Sequence, residues 1–166
     1  MAQELIADLE KTPGSQPGDE SSSDMSSSLE ETPRYQRGED VITEKKQTIL
    51  LVEDDLTLQE MYREVLISHG YTVIKAGDGQ EALDLFCKEK IDLIITDIMM
   101  PKMSGVELLN AVRKIPQEKP TPAIAWSNLT YEDEKKQALA AGANEYIIKD
   151  SLGLDEIIGV VKKYLG

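Results

Sequence analysis

Residues 91–105 read IDLIITDIMMPKMSG, and the rest of the chain is best read outward from this stretch. Leu93 to Thr96 is apolar and β-branched without a polar break, the pattern of a strand covered on both faces. The run ends on an acid, Asp97. Ser104, with Glu107 three residues further on, has the capping-box spacing that opens a helix. A doubly covered strand leading through an acidic edge into a helix is one βα unit of a parallel sheet.

The same unit recurs on both sides. Before it come TILLVE (48–53), a helical face of Leu58, Met61, Tyr62, Val65 and Leu66, then YTVIKA (71–76) and a face of Ala82, Leu85 and Phe86. After it come Val106, Leu108, Leu109 and Val112, then PAIAW (122–126), a charged helix over 131–141, EYIIK (145–149), and a final face of Leu154, Ile157, Ile158, Val161 and Leu165. Five strands alternating with five helices predict an α/β fold, a doubly wound parallel sheet with helices on both faces. Thr130 and Asp133 have the Asp variant of capping-box spacing, and Gly70 and Gly142 stand where the first and fourth helices should end.

Composition sets limits on partners and compartment. The chain has 166 residues, with 31 acids against 18 bases and a net charge of -13. That balance argues against direct binding to duplex DNA, where Lys and Arg must neutralise phosphates. One cysteine, Cys87, excludes an internal disulfide framework and a Cys-rich zinc site within one chain. The start, MAQELIADLE, has three acids and no base, unlike a secretory signal, and no apolar run approaches a membrane span. A cytoplasmic protein without membrane insertion is the expectation. Residues 1–45 hold 11 acids and 4 bases and are rich in Ser and Pro over 12–33, so they are expected to be a disordered acidic extension. The folded domain is then 46–166, which leaves no length for an attached output domain.

In an open parallel sheet the ligand site lies beyond the carboxyl ends of the strands. The first strand ends in Glu53-Asp54-Asp55, the third in Asp97, the fourth in Ser127 and the fifth in Lys149. Aspartates converging on one rim repel one another unless a cation sits among them, and Mg²⁺ takes oxygen ligands of this kind. A lysine and a hydroxyl alongside suit phosphoryl oxygens.

LLVEDD, LIITDIMMPKMSG, the serine after PAIAW, and AGANEYIIK together resemble the receiver domain of two-component response regulators, over about residues 46–166. The resemblance implies a flavodoxin-like sheet in the order 2-1-3-4-5. It makes Asp97 the phosphoacceptor and assigns Mg²⁺ to Asp54, Asp55 and Asp97 with the backbone carbonyl of Met99. Lys149 would contact the acyl phosphate, Ser127 would follow the phosphoryl group inward, and Tyr146 would be the aromatic switch that turns with it. The implied function is a phosphorylation-activated switch of a single-domain, chemotaxis-type regulator. Its phosphodonor would be a sensor histidine kinase or phosphotransfer protein, and its output would pass to a downstream protein target. An interaction module that signals without phosphorylation is the alternative.

Three positions depart from the family pattern: Asn128 follows Ser127 where a small residue is usual, Asp150 follows Lys149 where proline is usual, and Trp126, just before Ser127, is unusually bulky. Trp126 reads as core packing. Gly77-Asp78-Gly79-Gln80-Glu81-Ala82 matches a dinucleotide fingerprint, but it follows the second strand, expected at the sheet edge, rather than the first. His69 reads as a polar residue near a helix end, and Cys87, beside Phe86, as a buried or half-buried thiol.

Overall fold

The structure, a computed structural model, describes residues 45–166. The disordered extension expected over 1–45 lies outside the described residues, apart from Lys45. Strands β1 (Thr48–Val52), β2 (Thr72–Ala76), β3 (Leu93–Asp97), β4 (Ala123–Ser127) and β5 (Glu145–Ile148) form one sheet, ordered β2-β1-β3-β4-β5. All neighbouring pairs are parallel. Between and after them run α1 (Leu56–Ser68), α2 (Gly79–Lys88), α3 (Gly105–Lys114), α4 (Glu132–Ala140) and α5 (Leu154–Leu165), with a single 3₁₀ turn at Lys149–Ser151.

Side chains alternate across a strand, so each strand serves two cores. Ile49, Leu51, Leu93, Ile95, Ile124 and Trp126 face α1 and α5, where Tyr62, Leu66, Ile157, Ile158 and Val161 meet them. Leu50, Val52, Ile94, Ala123 and Ala125 face the other way, onto Ala82 of α2, Leu108, Leu109 and Val112 of α3, and Ala138 of α4. All residues of β3 and β4 are buried, as their unbroken apolar runs require, while edge strand β2 is partly exposed. Trp126 packs in the core as expected, its ring 4.4 Å from that of Tyr62 and tilted by 42°.

Helix ends follow local chemistry, with one departure. The Ser104–Glu107 capping box forms in both directions. The box expected from Thr130 and Asp133 does not: α4 starts after Tyr131, which makes no side-chain cap bond. Three acids in its first turn, Glu132, Asp133 and Glu134, face the positive end of the helix dipole instead. Gly142 follows α4 at φ +110°, a conformation costly for any residue with a Cβ, and a Cβ there would sit 2.5 Å from Arg113 Nε. That guanidinium is itself a brace, donating to Thr121 O at 2.8 Å and Gly142 O at 2.7 Å.

Two further expectations are corrected. Cys87 is exposed, because it lies one residue, about 100° of helix rotation, past the inward-facing Phe86. On α1 the buried positions are Gln59, Tyr62 and Leu66, whereas Met61 is 37% exposed. The buried stripe therefore includes a polar residue that hydrophobic periodicity passed over.

Replacing Gly142 with alanine should cost about 1–3 kcal/mol from backbone strain and the displaced Arg113, seen as a lower urea midpoint with an unchanged slope. A midpoint equal to wild type would mean that this turn relaxes freely.

Candidate functional site

The parallel sheet brings the carboxyl ends of β1, β3, β4 and β5 to one rim, around a cavity of about 400 Å³. Its acidic floor is Glu53, one residue past β1, and Asp97, the last residue of β3. The last β1–β3 pair is Val52 with Thr96, so Glu53 and Asp97 stand level, one step beyond it. Both are buried, as is Lys149 from the turn after β5. The Lys149 ammonium lies between them, donating to Glu53 Oε2 at 2.5 Å and Asp97 Oδ2 at 2.6 Å. Asp97 Oδ1 accepts the backbone N–H of Met99 at 3.1 Å.

Electrostatics follow from that arrangement. Burial raises the Glu53 carboxyl above its ordinary range, against the opposing pull of Lys149. Burial alone would lower the Lys149 ammonium; its hydrogen bonds to Asp97 and Glu53 outweigh this and hold it above its usual value, so it stays protonated at neutral pH. Exposed Asp54 completes a group of three carboxylates, with Glu53 and Asp97, whose oxygens lie within 4.8 Å of one another. Three carboxylates share one ammonium. The donor set is all oxygen, charge-deficient and open on one side, which fits Mg²⁺ and its retained waters.

The residues expected from sequence mostly meet here. Asp54, Asp97, Met99, Ser127 and Lys149 all line the cavity. Asp55 lines it too, but its Oδ1 accepts the N–H groups of Thr57 at 2.9 Å and Leu58 at 3.0 Å, making it the N-cap of α1. Glu53 stands in the carboxylate cluster where the resemblance implied Asp55. Three consecutive acids conceal which of them face the rim; the signal was the strand parity that places Glu53 across from Asp97.

The switch candidates are also joined. Ser127 Oγ, fully buried, accepts Leu129 N–H at 3.1 Å, and the carbonyl of the same Leu129 accepts the Tyr146 hydroxyl at 2.8 Å. Leu129 thus links both side chains through its own main chain. Gly105, the first residue of α3, comes so close to the end of β3 that a Cβ would lie 2.1 Å from Asp97 O.

Comparison with known proteins bears on this geometry. Residues 49–162 match the model of the response regulator receiver domain. The chain belongs to that family. Among curated relatives, it is 36% identical over 116 residues to an uncharacterized 14.6 kDa protein of Leptolyngbya boryana, covering 70% of this chain and 88% of that one. It is 41% identical over 101 residues to the transcriptional regulatory protein CpxR of Escherichia coli, covering 61% of this chain but only 42% of CpxR. Among solved structures, chemotaxis protein CheY4 of Vibrio cholerae matches with TM-score 0.67 and 31% identity, over 72% of this chain and 98% of that one. The response regulator TrrA of Thermotoga maritima, solved in complex with Mg²⁺-BeF, matches with TM-score 0.63 and 34% identity, over 71% and 98%. The sheet order 2-1-3-4-5 and the five helices are those of the receiver fold. The fingerprint-like Gly77–Ala82 stretch follows edge strand β2, whereas the three-carboxylate cluster follows β1 and ends β3. Receiver domains are signalling switches of two-component systems rather than conventional enzymes, and no helix among the described residues is long and apolar enough to cross a membrane.

Removing Lys149 as Lys149→Met should leave two buried carboxylates facing each other and cost about 3 kcal/mol in urea unfolding without divalent cation. Added MgCl₂ should recover part of that loss; a variant as stable as wild type would show that the buried pair adds nothing to stability.

Proposed function

We propose that this receiver accepts a phosphoryl group on Asp97 and signals through protein contacts made by the altered surface. The observation that carries the reading is the Lys149 ammonium between Glu53 and Asp97, with Asp54 completing a three-carboxylate cluster. Asp97 is held at both oxygens, Oδ1 by the Met99 N–H and Oδ2 by Lys149, as Glu53 is by the Asp55 N–H and Lys149.

A carboxylate oxygen of Asp97 attacks phosphorus of a phosphohistidine, on a sensor histidine kinase or a phosphotransfer protein. A P–O bond forms as the P–N bond breaks, and the electron pair leaves on the imidazole nitrogen, which takes up a proton. Lys149 stays within reach of the transferred group and offsets its charge. Glu53, Asp54, Asp97 and the Met99 carbonyl would hold Mg²⁺, which supplies charge neutralisation of the transferring phosphoryl group. The Ser127 hydroxyl turns to donate its proton to a phosphoryl oxygen and gives up the Leu129 N–H from which it accepts. Because that same Leu129 holds the Tyr146 hydroxyl, the exchange disturbs both switch residues together. The added charge of about -1.5 to -2 shifts a two-state equilibrium of the loops after β3 and β4 toward a form read by a downstream protein target. The net charge of -13 disfavours DNA as that target, and a cytoplasmic location follows from the proposed donor. No particular observation favours a phosphorylation-independent module.

Incubation with acetyl phosphate and MgCl₂, read by intact mass, should add one phosphoryl group to wild type and none to Asp97→Asn. EDTA should abolish the gain; a wild-type chain that stays unlabelled under conditions that label another receiver sinks the proposal. The two neighbouring aspartates should separate cleanly. Asp55→Ala should lose about 1 kcal/mol of stability with Mg²⁺ affinity near wild type, from the missing cap. Asp54→Ala should instead lose Mg²⁺ affinity by about tenfold or more, as expected for a lost carboxylate ligand.

A further inference from the structure

Gln59 is 4% exposed on the inner face of α1, in register with Tyr62 and Leu66. A buried amide is costly unless its hydrogens are used, and both are used here. Nε2 donates to Glu53 O and to Ala76 O, each at 2.9 Å. Ala76 O also accepts the Glu53 N–H at 3.1 Å. One side chain therefore ties α1 to the carboxyl ends of β1 and β2, at the point where the acidic rim begins.

The bond to Glu53 O matters most. Strand pairing of β1 ends at Val52 on both sides, so Glu53 lies beyond the ladder that orients the residues before it. Its carbonyl belongs to the planar peptide joining Glu53 to Asp54. The tilt of that plane sets the directions in which both carboxylates leave the chain, and those carboxylates are two of the three in the cluster. Glu53 is held at its N–H by Ala76 and at its carboxylate by Lys149 and by the Asp55 N–H at 3.3 Å. Gln59 supplies the restraint at the carbonyl.

We infer that Gln59 is a positioning residue for the cation site, acting through the Glu53–Asp54 peptide without touching the ion. This rests on the cation-site reading above. It differs from a purely structural role in what it controls: carboxylate placement and hence affinity, rather than the stability of α1 alone. Loss of an outer partner of a metal ligand typically weakens binding about 10–100-fold.

The test is calorimetric titration of the full chain with MgCl₂ for wild type, Gln59→Met and Leu66→Val, with urea unfolding of each. Gln59→Met keeps length and burial but has no donors, while Leu66→Val perturbs the same face of α1 away from the rim. The expected result is a Kd raised about tenfold or more in Gln59→Met and unchanged in Leu66→Val. Saturating MgCl₂ should restore acetyl phosphate labelling of Gln59→Met. A Gln59→Met Kd within about twofold of wild type, or an equal loss in Leu66→Val, overturns the inference, since an outer-ligand role predicts far more. Should Gln59→Met fail to fold, Gln59→Asn, one methylene too short to reach both carbonyls, takes its place in the titration, with the same rise in Kd expected and the same near-wild-type Kd overturning the inference. Wild type binding no Mg²⁺ would instead overturn the cation site itself.

Discussion

One buried ammonium holds the functional end of this molecule together. Lys149, from the turn after β5, joins Glu53 beyond β1 to Asp97 at the end of β3. A lysine in that environment is tolerable only because two carboxylates meet it, and those carboxylates are tolerable only because the lysine is there. The charge balance is left incomplete. Asp54 brings a third carboxylate within 4.8 Å without a second ammonium among the described residues, so the rim keeps an excess of negative charge there. That unbalanced charge leaves the edge of the sheet suited to a cation rather than closed as an ionic lock.

The fold is what lets so few residues do this. Parallel strands deliver all their carboxyl ends to one side, and burial of β3 and β4 on both faces makes that delivery rigid. The surrounding loops are then fixed by local bonds. Asp55 caps α1, Ser104 and Glu107 cap α3, and Gly105 allows the start of α3 to press against Asp97 O. On the loop after β4, Leu129 connects Ser127 to Tyr146 through its N–H and its carbonyl. Ser127 is thereby joined to a half-buried ring on β5 by hydrogen bonds through one main-chain residue.

Much of this was legible in the residues. The alternation of apolar runs with helical faces specified five βα units, and the groups at strand ends pointed to a phosphoryl and cation site. What escaped had a common cause: periodicity assigns a residue to a face but does not say which backbone atoms wait there. Gln59 was overlooked because a polar residue in a helix reads as exposed, yet two strand-end carbonyls make its burial favourable. Cys87 was placed inward on the strength of its neighbour Phe86, although adjacent helical residues point about 100° apart. The Thr130 cap failed because α4 begins one residue later, after Tyr131.

By itself the sequence determined the fold class and the order of elements and set Asp97, Ser127 and Lys149 at strand ends, because hydrophobic period and strand-end chemistry are local properties; the phosphoacceptor role of Asp97 is what the resemblance to receiver domains implies. Only the tertiary structure decided how the three consecutive acids divide their work. Asp55 turns to the amides of α1, Asp54 faces the open rim, and Glu53 meets Lys149. That division depends on the β1–β3 register, the direction in which α1 departs, and a lysine 96 residues away, none of which a run of like charges can encode.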